Sequence, residues 1–223
     1  MYAMRITHEI FHVGGDGLTA PGDGAIYLIK FGENAALVDA GCGHGQDRLF
    51  KNIKDCGVEP DQIQYLLVTH CHFDHTGGIS GVRDRCGCQV VAHELDARFL
   101  EDGNDIVSGA KWYGSTLDPT EVDIKLTGAQ NEIELGKGRI LAIHVPGHSP
   151  GSLVYLTESE GLKVLFAQDV HGPINEEILL SNREDYLRSL KLMISLGADI
   201  LCEGHYGIFR GKREAEAFIR SFI

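Results

Sequence analysis

The segment VTHCHFDHTGG, residues 68–78, contains three histidines and one aspartate within six consecutive positions. Such a cluster is a poor way to fill a core, because imidazoles are polar and repel one another once they are protonated. On an extended chain His70 and His72 point to the same side. Asp74 and His75 follow where the chain turns towards a helix. Imidazole nitrogens and carboxylate oxygens are ligands for zinc, iron and manganese, so the segment predicts a metal site.

Three later positions offer further ligands of the same kinds. Each follows a strand candidate and lies near a glycine: His148 in VPGHSPGSL, Asp169 in LFAQDVHG and His205 in LCEGHYG. Strand ends are where a sheet presents its functional loops. Two metal ions need about six protein ligands and a water. The two groups of residues together are therefore sufficient for a pair of ions.

Short apolar runs between glycines and polar turns indicate the elements that carry these residues. The strand candidates are GAIYLIKFG, NAALVDAG, IQYLLVTH, QVVAHE, EVDIKLT, EIEL, RILAIHVP, SLVYLTES, KVLFAQDV and DILCEG. The helix candidates are GQDRLFKNIKDCG, HTGGISGVRDR, ELDARFLED, NREDYLRSLKLMISLG and KREAEAFIRSFI, and Asn182 is the predicted N-cap of the fourth. Strands in two sets, with helices between and after them, predict one domain over residues 1–223 that contains two packed sheets.

Composition and charge indicate which partners and which cellular location to expect. The formal net charge of −12 argues against a general nucleic-acid binder, which usually has a basic surface. No apolar run approaches the roughly 20 residues that span a bilayer, and the N-terminus lacks a signal-peptide pattern. The six cysteines are scattered, and we interpret Cys86 and Cys88 as ordinary thiols. We expect a cytoplasmic protein that binds neither membrane nor nucleic acid.

At these residues the chain resembles the metallo-β-lactamase-fold hydrolases, most closely the glyoxalase-II-like branch. The resemblance runs from YLI…ALVDAG through THCHFDHTGG, PGHSPGS and FAQD to EGH, and so covers nearly the whole chain. It implies an α/β (α+β) fold: a four-layer αββα sandwich of two mixed β-sheets with helices on the outer faces. A metal pair would lie at one edge of the two sheets.

The resemblance also implies which residues hold which ion. The ligands of the first ion would be His70, His72 and His148, and those of the second Asp74, His75 and His205. Asp169 would bridge the two. Asp39, in VDAG, is similar to the family's supporting aspartate, although its spacing alone fits a turn residue equally well.

The chemistry implied is that of a metal-dependent hydrolase. Two divalent ions, most simply zinc with iron or manganese as alternatives, would share a hydroxide that attacks the carbonyl of a thioester, ester or lactone. We expect Asp74 and His171 to act in catalysis, since His171 lies two residues beyond Asp169. Tyr206 is a further candidate for substrate contact. The structural or exposed histidines would be His8, His12, His44, His93 and His144.

Two departures narrow the substrate. Asp169 stands where many true β-lactamases have a cysteine, so antibiotic hydrolysis is not expected. We also expect no helical C-terminal domain of the kind that binds glutathione in glyoxalase II, which argues against glutathione thioesters. The predicted partner is a small-molecule substrate. The loop at 105–122, with Trp112 and Tyr113, is predicted to cover that substrate or to face a partner, and a homodimer remains open.

Three alternatives remain open at this point. The first is a mononuclear iron enzyme similar to the persulfide dioxygenases of the same fold, with His70, His148 and Asp169 as ligands. The second is a phosphodiesterase or nuclease with the same ligand set, which the acidic charge disfavours. The third is a non-catalytic binding module, which the complete set of ligands disfavours.

Overall fold

The computed structural model describes residues 3–223, and the first seven strands form one mixed sheet in sequence order. The strands are β1 (Met4–Arg5), β2 (Ile10–Gly14), β3 (Ile26–Phe31), β4 (Asn34–Val38), β5 (Ile63–Leu67), β6 (Gln89–His93) and β7 (Ile124–Leu126). Pairing is antiparallel from β1 to β4 and parallel from β4 to β7. The carboxyl ends of the parallel strands β4 to β7 lie at the edge of the sheet that carries the candidate ligands.

The other six strands of the described residues form a second mixed sheet. They are β8 (Gln130–Leu135), β9 (Gly138–His144), β10 (Leu153–Ser159), β11 (Leu162–Phe166), β12 (Ile200–Cys202) and β13 (Ile208–Arg210). Strands β8 to β11 form an antiparallel meander, and β12 pairs parallel with β11. The segments that follow β11 and β12 therefore leave the sheet at the same edge.

In the described part of the chain, six α-helices connect or follow the strands. They are α1 (Gln46–Asp55), α2 (Phe73–Thr76), α3 (Ile79–Cys86), α4 (Glu94–Glu101), α5 (Arg183–Leu196) and α6 (Lys212–Arg220). Asn182 caps α5 as predicted, since its Oδ1 accepts a hydrogen bond from the backbone N–H of Asp185 at 2.9 Å. Within residues 3–223 no helix is both long and apolar enough to cross a membrane.

Alternation along the strands separates three cores. In β3, Leu28 faces the helices that cover the first sheet, whereas Tyr27 faces the second sheet. In β11, Phe166 packs between the sheets, and Leu165 packs under α5 and α6. Strands buried on both faces read as continuous apolar runs, which is why GAIYLIKFG and KVLFAQDV show so few polar residues. The layers are thus helix, sheet, sheet and helix, and the predicted αββα sandwich is confirmed.

Three short strands were missed by the sequence prediction, namely β1, β2 and β13. The β2 segment IFHVG carries a histidine and is half-buried at two positions, so its pattern is weak. The other two have only two and three residues. The segment HTGGISGVRDR also divides into two helices, α2 and α3, because Gly77 and Gly78 lie between them.

Candidate metal centre

The candidate ligands meet where strands of both sheets end. His70 and His72 follow β5 directly, and Asp74 and His75 lie in the single turn of α2. From the second sheet, His148 lies between β9 and β10, Asp169 follows β11 and His205 follows β12. Two buried tyrosines tie the sheets together at this edge. The hydroxyl of Tyr155 donates to the Val68 carbonyl at 2.8 Å, and that of Tyr27 donates to the Glu203 carbonyl at 2.7 Å.

The first cluster contains three buried imidazoles, those of His70, His72 and His148. The Nε2 atoms of His70 and His148 lie 3.2 Å apart. The His72 ring stands nearly perpendicular to both other rings, with centroids 4.5 Å and 4.4 Å away. Three nitrogen ligands converging from different directions match the protein share of a tetrahedral zinc site.

The second cluster combines carboxylates with imidazoles, and its members are Asp74, His75, Asp169 and His205. The Nε2 of His205 lies 3.0 Å from Oδ2 of Asp74 and 3.3 Å from Nε2 of His75. Asp74, His75 and Asp169 are buried, and the His205 side chain is 28% exposed. Mixed oxygen and nitrogen ligands of this kind suit zinc, iron and manganese.

Asp169 lies between the clusters and presents one oxygen to each. Its Oδ2 is 3.5 Å from Nε2 of His148 and 4.0 Å from Nε2 of His70. Its Oδ1 is 3.1 Å from Nε2 of His75 and 3.4 Å from Nε2 of His205. A carboxylate in this position can share its two oxygens between two ions.

Hydrogen bonds fix which nitrogen carries the proton in two rings of the first cluster. His148 Nδ1 contacts the Pro173 carbonyl at 3.0 Å, and a carbonyl can only accept. Thr69 gives its hydroxyl proton to Asp39, so the same oxygen is free to accept from Nδ1 of His70 at 3.0 Å. In the neutral rings of His70 and His148, the two facing Nε2 atoms therefore both carry a lone pair and no proton. The buried Nε2 of His72 has no hydrogen-bond partner among residues 3–223. Converging lone pairs repel unless a cation lies between them, so this donor set fits a metal ion.

Electrostatics keep the first cluster ready for a metal. Burial and the neighbouring imidazoles hold the pKa of His70 well below its ordinary value. Burial, followed by His148, lowers the pKa of His72 to about 3. Metal ligation requires neutral imidazole, so these rings need lose no proton at neutral pH before they bind an ion.

In the second cluster, by contrast, neighbouring carboxylates raise the pKa of the histidines. Burial opposes protonation of His75, but the carboxylates of Asp169, Asp74 and Asp39 outweigh it and raise the pKa of His75 well above its ordinary value. Burial likewise opposes protonation of His205, and Asp169 and Asp74 raise its pKa to about 10. The negative potential that favours a proton here also favours a metal cation.

Two buried aspartates hold the ligand loops from behind. Asp39 accepts from Nδ1 of His75 at 2.8 Å and from the Thr69 backbone N–H at 2.8 Å, so it supports a ligand as well as shaping a turn. Asp96 accepts from the backbone N–H of Cys71 at 2.9 Å, and from Ser149 and Gly151 at 2.5 Å and 2.6 Å. Asp96 therefore joins the loop of His70 and His72 to the loop of His148. Sequence reasoning did not identify it, because its role depends entirely on tertiary contacts.

A third buried carboxylate, Glu203, was also missed. Its Oε1 accepts from Nδ1 of His171 at 2.8 Å, and its Oε2 accepts the backbone N–H groups of His205 and Tyr206, both at 2.7 Å. Because Nδ1 of His171 is engaged by a carboxylate, Nε2 is the atom left for other partners. The motif EGH contained the only sequence signal, an acidic residue two positions before a candidate ligand.

Two glycines allow the backbone to pass close to the second cluster. A Cβ atom at Gly24 would lie 2.6 Å from the His75 ring, and one at Gly204 would lie 2.2 Å from Oδ1 of Asp169. Gly24 donates to the Asp74 carbonyl at 2.8 Å, and Ala25 donates to the Gly204 carbonyl at 2.7 Å. Only a residue without a side chain fits at either point.

A cavity of about 180 Å³ opens beside both clusters. The ligands that reach it are His72, Asp74, Asp169 and His205. Its other walls are Ser108, Trp112, Tyr113, His171, Pro173 and Leu179. The loop at 105–122 thus supplies part of the cavity wall. Larger clefts occur elsewhere on the surface, but the chemistry of the side chains marks this cavity as the site.

The remaining singled-out residues lie outside the two clusters. Tyr206 is 63% exposed and packs on the His171 ring at 4.9 Å without lining the cavity. His93 and His144 stack on each other at 3.9 Å, and His8 and His44 are exposed. Cys86 and Cys88 are free thiols outside the clusters.

Fold and site together define a class of protein: an αββα sandwich with adjoining histidine and carboxylate clusters at one edge of its sheets. Residues 19–205 match the family model of the metallo-β-lactamase superfamily. The chain belongs to the metallo-β-lactamase superfamily, as predicted. This membership supports a metal-dependent hydrolase.

Relatives and solved structures agree with this assignment. A probable metallo-hydrolase of Methanocaldococcus jannaschii is 27% identical over 202 residues, 88% of this chain and 93% of that protein. A hydroxyacylglutathione hydrolase of Anaeromyxobacter dehalogenans is 34% identical over 139 residues, 62% of this chain and 43% of that protein. The solved β-lactamase from Chitinophaga pinensis superposes with a TM-score of 0.78 at 27% identity, covering 92% of this chain and 78% of that one.

Proposed function

We propose that the protein hydrolyses a thioester, ester or lactone with the help of two divalent metal ions, most simply zinc. His70, His72 and His148 would hold the first ion, and Asp74, His75 and His205 the second. The observation that carries the proposal is the position of Asp169, whose two oxygens face one cluster each, at 3.5 Å and 3.1 Å from the nearest imidazole nitrogens.

Two bound divalent ions would supply Lewis acidity and a nucleophile at neutral pH, since each lowers the pKa of bound water towards 7. The chain's own residues orient the substrate and handle protons. His171 lines the cavity with Nδ1 donating to Glu203, which leaves Nε2 free to take up the proton released by the attacking water and to pass it to the leaving group. Asp74 is one of the two carboxylates of the second cluster that border the cavity, and there it can orient the attacking water.

The second cluster favours a pair of ions over a single one. A mononuclear centre built from His70, His148 and Asp169 would leave Asp74, His75 and His205 without a role, although they are packed within 3.0–3.6 Å of one another. Several buried acidic and basic groups that converge without a cation would be costly to retain. Their close approach supports a second ion.

Relatives support the thioester part of this range. Beyond the hydroxyacylglutathione hydrolase, an acyl-coenzyme A thioesterase of Gallus gallus is 26% identical over 213 residues, 84% of this chain and 74% of that protein. Hydrolysis of an activated carbonyl is what these two names have in common.

The test is a panel of thioesters, simple esters and lactones, assayed with metal-loaded protein. We expect hydrolysis of at least one class, its loss after chelation and its recovery on addition of zinc, iron or manganese. Protein that carries metal but hydrolyses no member of the panel faster than a variant without a candidate ligand would contradict the proposal.

A further inference from the structure

Apart from the metal ligands, most residues that line the cavity are apolar or aromatic. Trp112, Tyr113, Pro173 and Leu179 form this apolar part of the wall, and the loop at 105–122 contributes the first two. Trp112 is 55% exposed although it borders the cavity, so one part of the indole remains open to a bound molecule. The Tyr113 ring packs on Phe73 at 5.5 Å, which fixes this wall against the helix that carries Asp74 and His75. A fixed aromatic surface beside reactive groups is a platform for an apolar part of a ligand.

Positive charge is missing from this wall. Among the described residues that line the cavity, none is a lysine or an arginine. Lys111 precedes Trp112 in the chain, but its Nζ is paired with Oδ2 of Asp105 at 2.7 Å. The segment between Pro173 and Leu179 adds two exposed acidic side chains, Glu176 and Glu177. Proteins recognise carboxylates and phosphates chiefly with arginine and lysine, so a charged acyl group would find neither of these partners here.

The size of the cavity limits the group that enters it. A dry cavity of roughly 150 Å³ holds one benzene molecule. At about 180 Å³ the present cavity is only slightly larger, and it is smaller than the pockets that take drug-sized ligands. A single ring or a short branched chain fills it, whereas a long acyl chain would extend beyond it into solvent.

We propose that the acyl group of the substrate is short, uncharged and apolar, and that it packs on Trp112 while its carbonyl reaches the metal clusters. This inference rests on the hydrolysis proposed above and names the substrate class of the same site. It separates neutral acyl groups from acyl groups that end in a carboxylate.

Two isosteric esters test the inference. The 4-nitrophenyl esters of 5-methylhexanoic acid and of glutaric acid differ only in an isopropyl group against a carboxylate. We expect kcat/KM for the neutral ester to exceed that for the anionic ester by more than about tenfold, the scale of one apolar group in a hydrophobic pocket. Equal or better hydrolysis of the glutarate ester would overturn the inference and leave the proposed hydrolysis standing.

Substitution of Trp112 provides a second test of the inference. Trp112→Ala should raise KM for the neutral ester about tenfold and leave the anionic ester almost unchanged, whereas Trp112→Phe should retain most of the preference. Leu192→Ala removes an exposed apolar side chain from the α5 helix, outside the cavity, and serves as the matched control. An unchanged preference in Trp112→Ala would refute the role of Trp112.

A binding readout separates this inference from hydrolysis. Trp112 is the only tryptophan in the chain, so intrinsic indole fluorescence reports on the cavity wall directly. In metal-loaded protein, 5-methylhexanoate should change this fluorescence at a concentration at least about tenfold lower than glutarate does. That preference without turnover of any ester would refute the hydrolysis and support the ligand class, whereas glutarate binding equally well would refute the ligand class.

Discussion

Substitution of Asp96 by asparagine should loosen the first metal cluster without touching a ligand. The buried carboxylate receives three donors, the backbone N–H groups of Cys71 and Gly151 and the hydroxyl of Ser149. An amide of the same size keeps one acceptor oxygen and turns an NH₂ group towards at least one of these donors. At least one of the bonds that join the His70–His72 loop to the His148 loop is therefore lost.

The magnitude follows from the bonds. A hydrogen bond to a charged group contributes about 1.5–3 kcal/mol, so Asp96→Asn should lower the free energy of unfolding by about 2–3 kcal/mol. In a chain of this size each kcal/mol corresponds to roughly 2–4 °C, so Tm should fall by about 4–12 °C. Loss of a residue that supports metal ligands typically costs 10–100-fold in metal affinity, and we expect a loss of this order at the first cluster.

The assay is competition with a chromophoric chelator, run well below the Tm of the variant, so that two successive affinities are resolved. Asp199→Asn is the matched control, since Asp199 accepts from the Lys163 backbone N–H at 2.9 Å in a contact that involves no ligand loop. It should alter stability slightly and metal affinity not at all. A folded Asp96→Asn protein with two wild-type affinities would refute the argument, and so would an equal loss at both sites.

Three further outcomes are expected. His72→Ala should reduce turnover by more than about a hundredfold with the fold intact, because its Nε2 has no protein partner to lose. The exposed His44→Ala is its control, and circular dichroism and activity are the measurements. His171→Gln should slow hydrolysis of alkyl esters by about 10²–10⁴-fold, but 4-nitrophenyl esters much less, because only the alkoxide needs a proton. Equal slowing of alkyl and 4-nitrophenyl esters would exclude His171 as the proton donor to the leaving group. Metal added at 100 times its Kd to protein from which metal and chelator have been removed should raise the free energy of unfolding by about 2.7 kcal/mol, measured in a thermal melt. No rise in Tm would show that the ion does not bind the folded state.

The fold was predictable because its main strands are strongly patterned. Strands such as Ile26–Phe31 are buried on both faces and appear in the sequence as unbroken apolar runs. Strand β13 was missed because its three residues, Ile208–Arg210, carry no alternation that could be read reliably. Short length and weak apolar patterning, the latter in β2, therefore limited the prediction of strands together.

The ligand candidates were visible for a different reason. His70, His72, Asp74 and His75 are close in sequence, so their spacing alone indicates a common task. Asp96 and Glu203 support the same site as buried carboxylates, yet each stands in an ordinary acidic context along the chain. Only tertiary contacts show that their oxygens receive backbone N–H groups of the ligand loops. Supporting residues of this kind depend on the fold and not on a local motif.

Metal content per chain tests the central claim most directly. Elemental mass spectrometry on protein purified without added metal or chelator should find about two divalent ions per chain, because the imidazole cluster and the carboxylate-rich cluster are separate sites joined by Asp169. The Asp169→Ala variant should lose at least one of them. A single iron per chain, unchanged when the second cluster is removed by His205→Ala, would contradict the dinuclear account and favour the mononuclear iron enzyme.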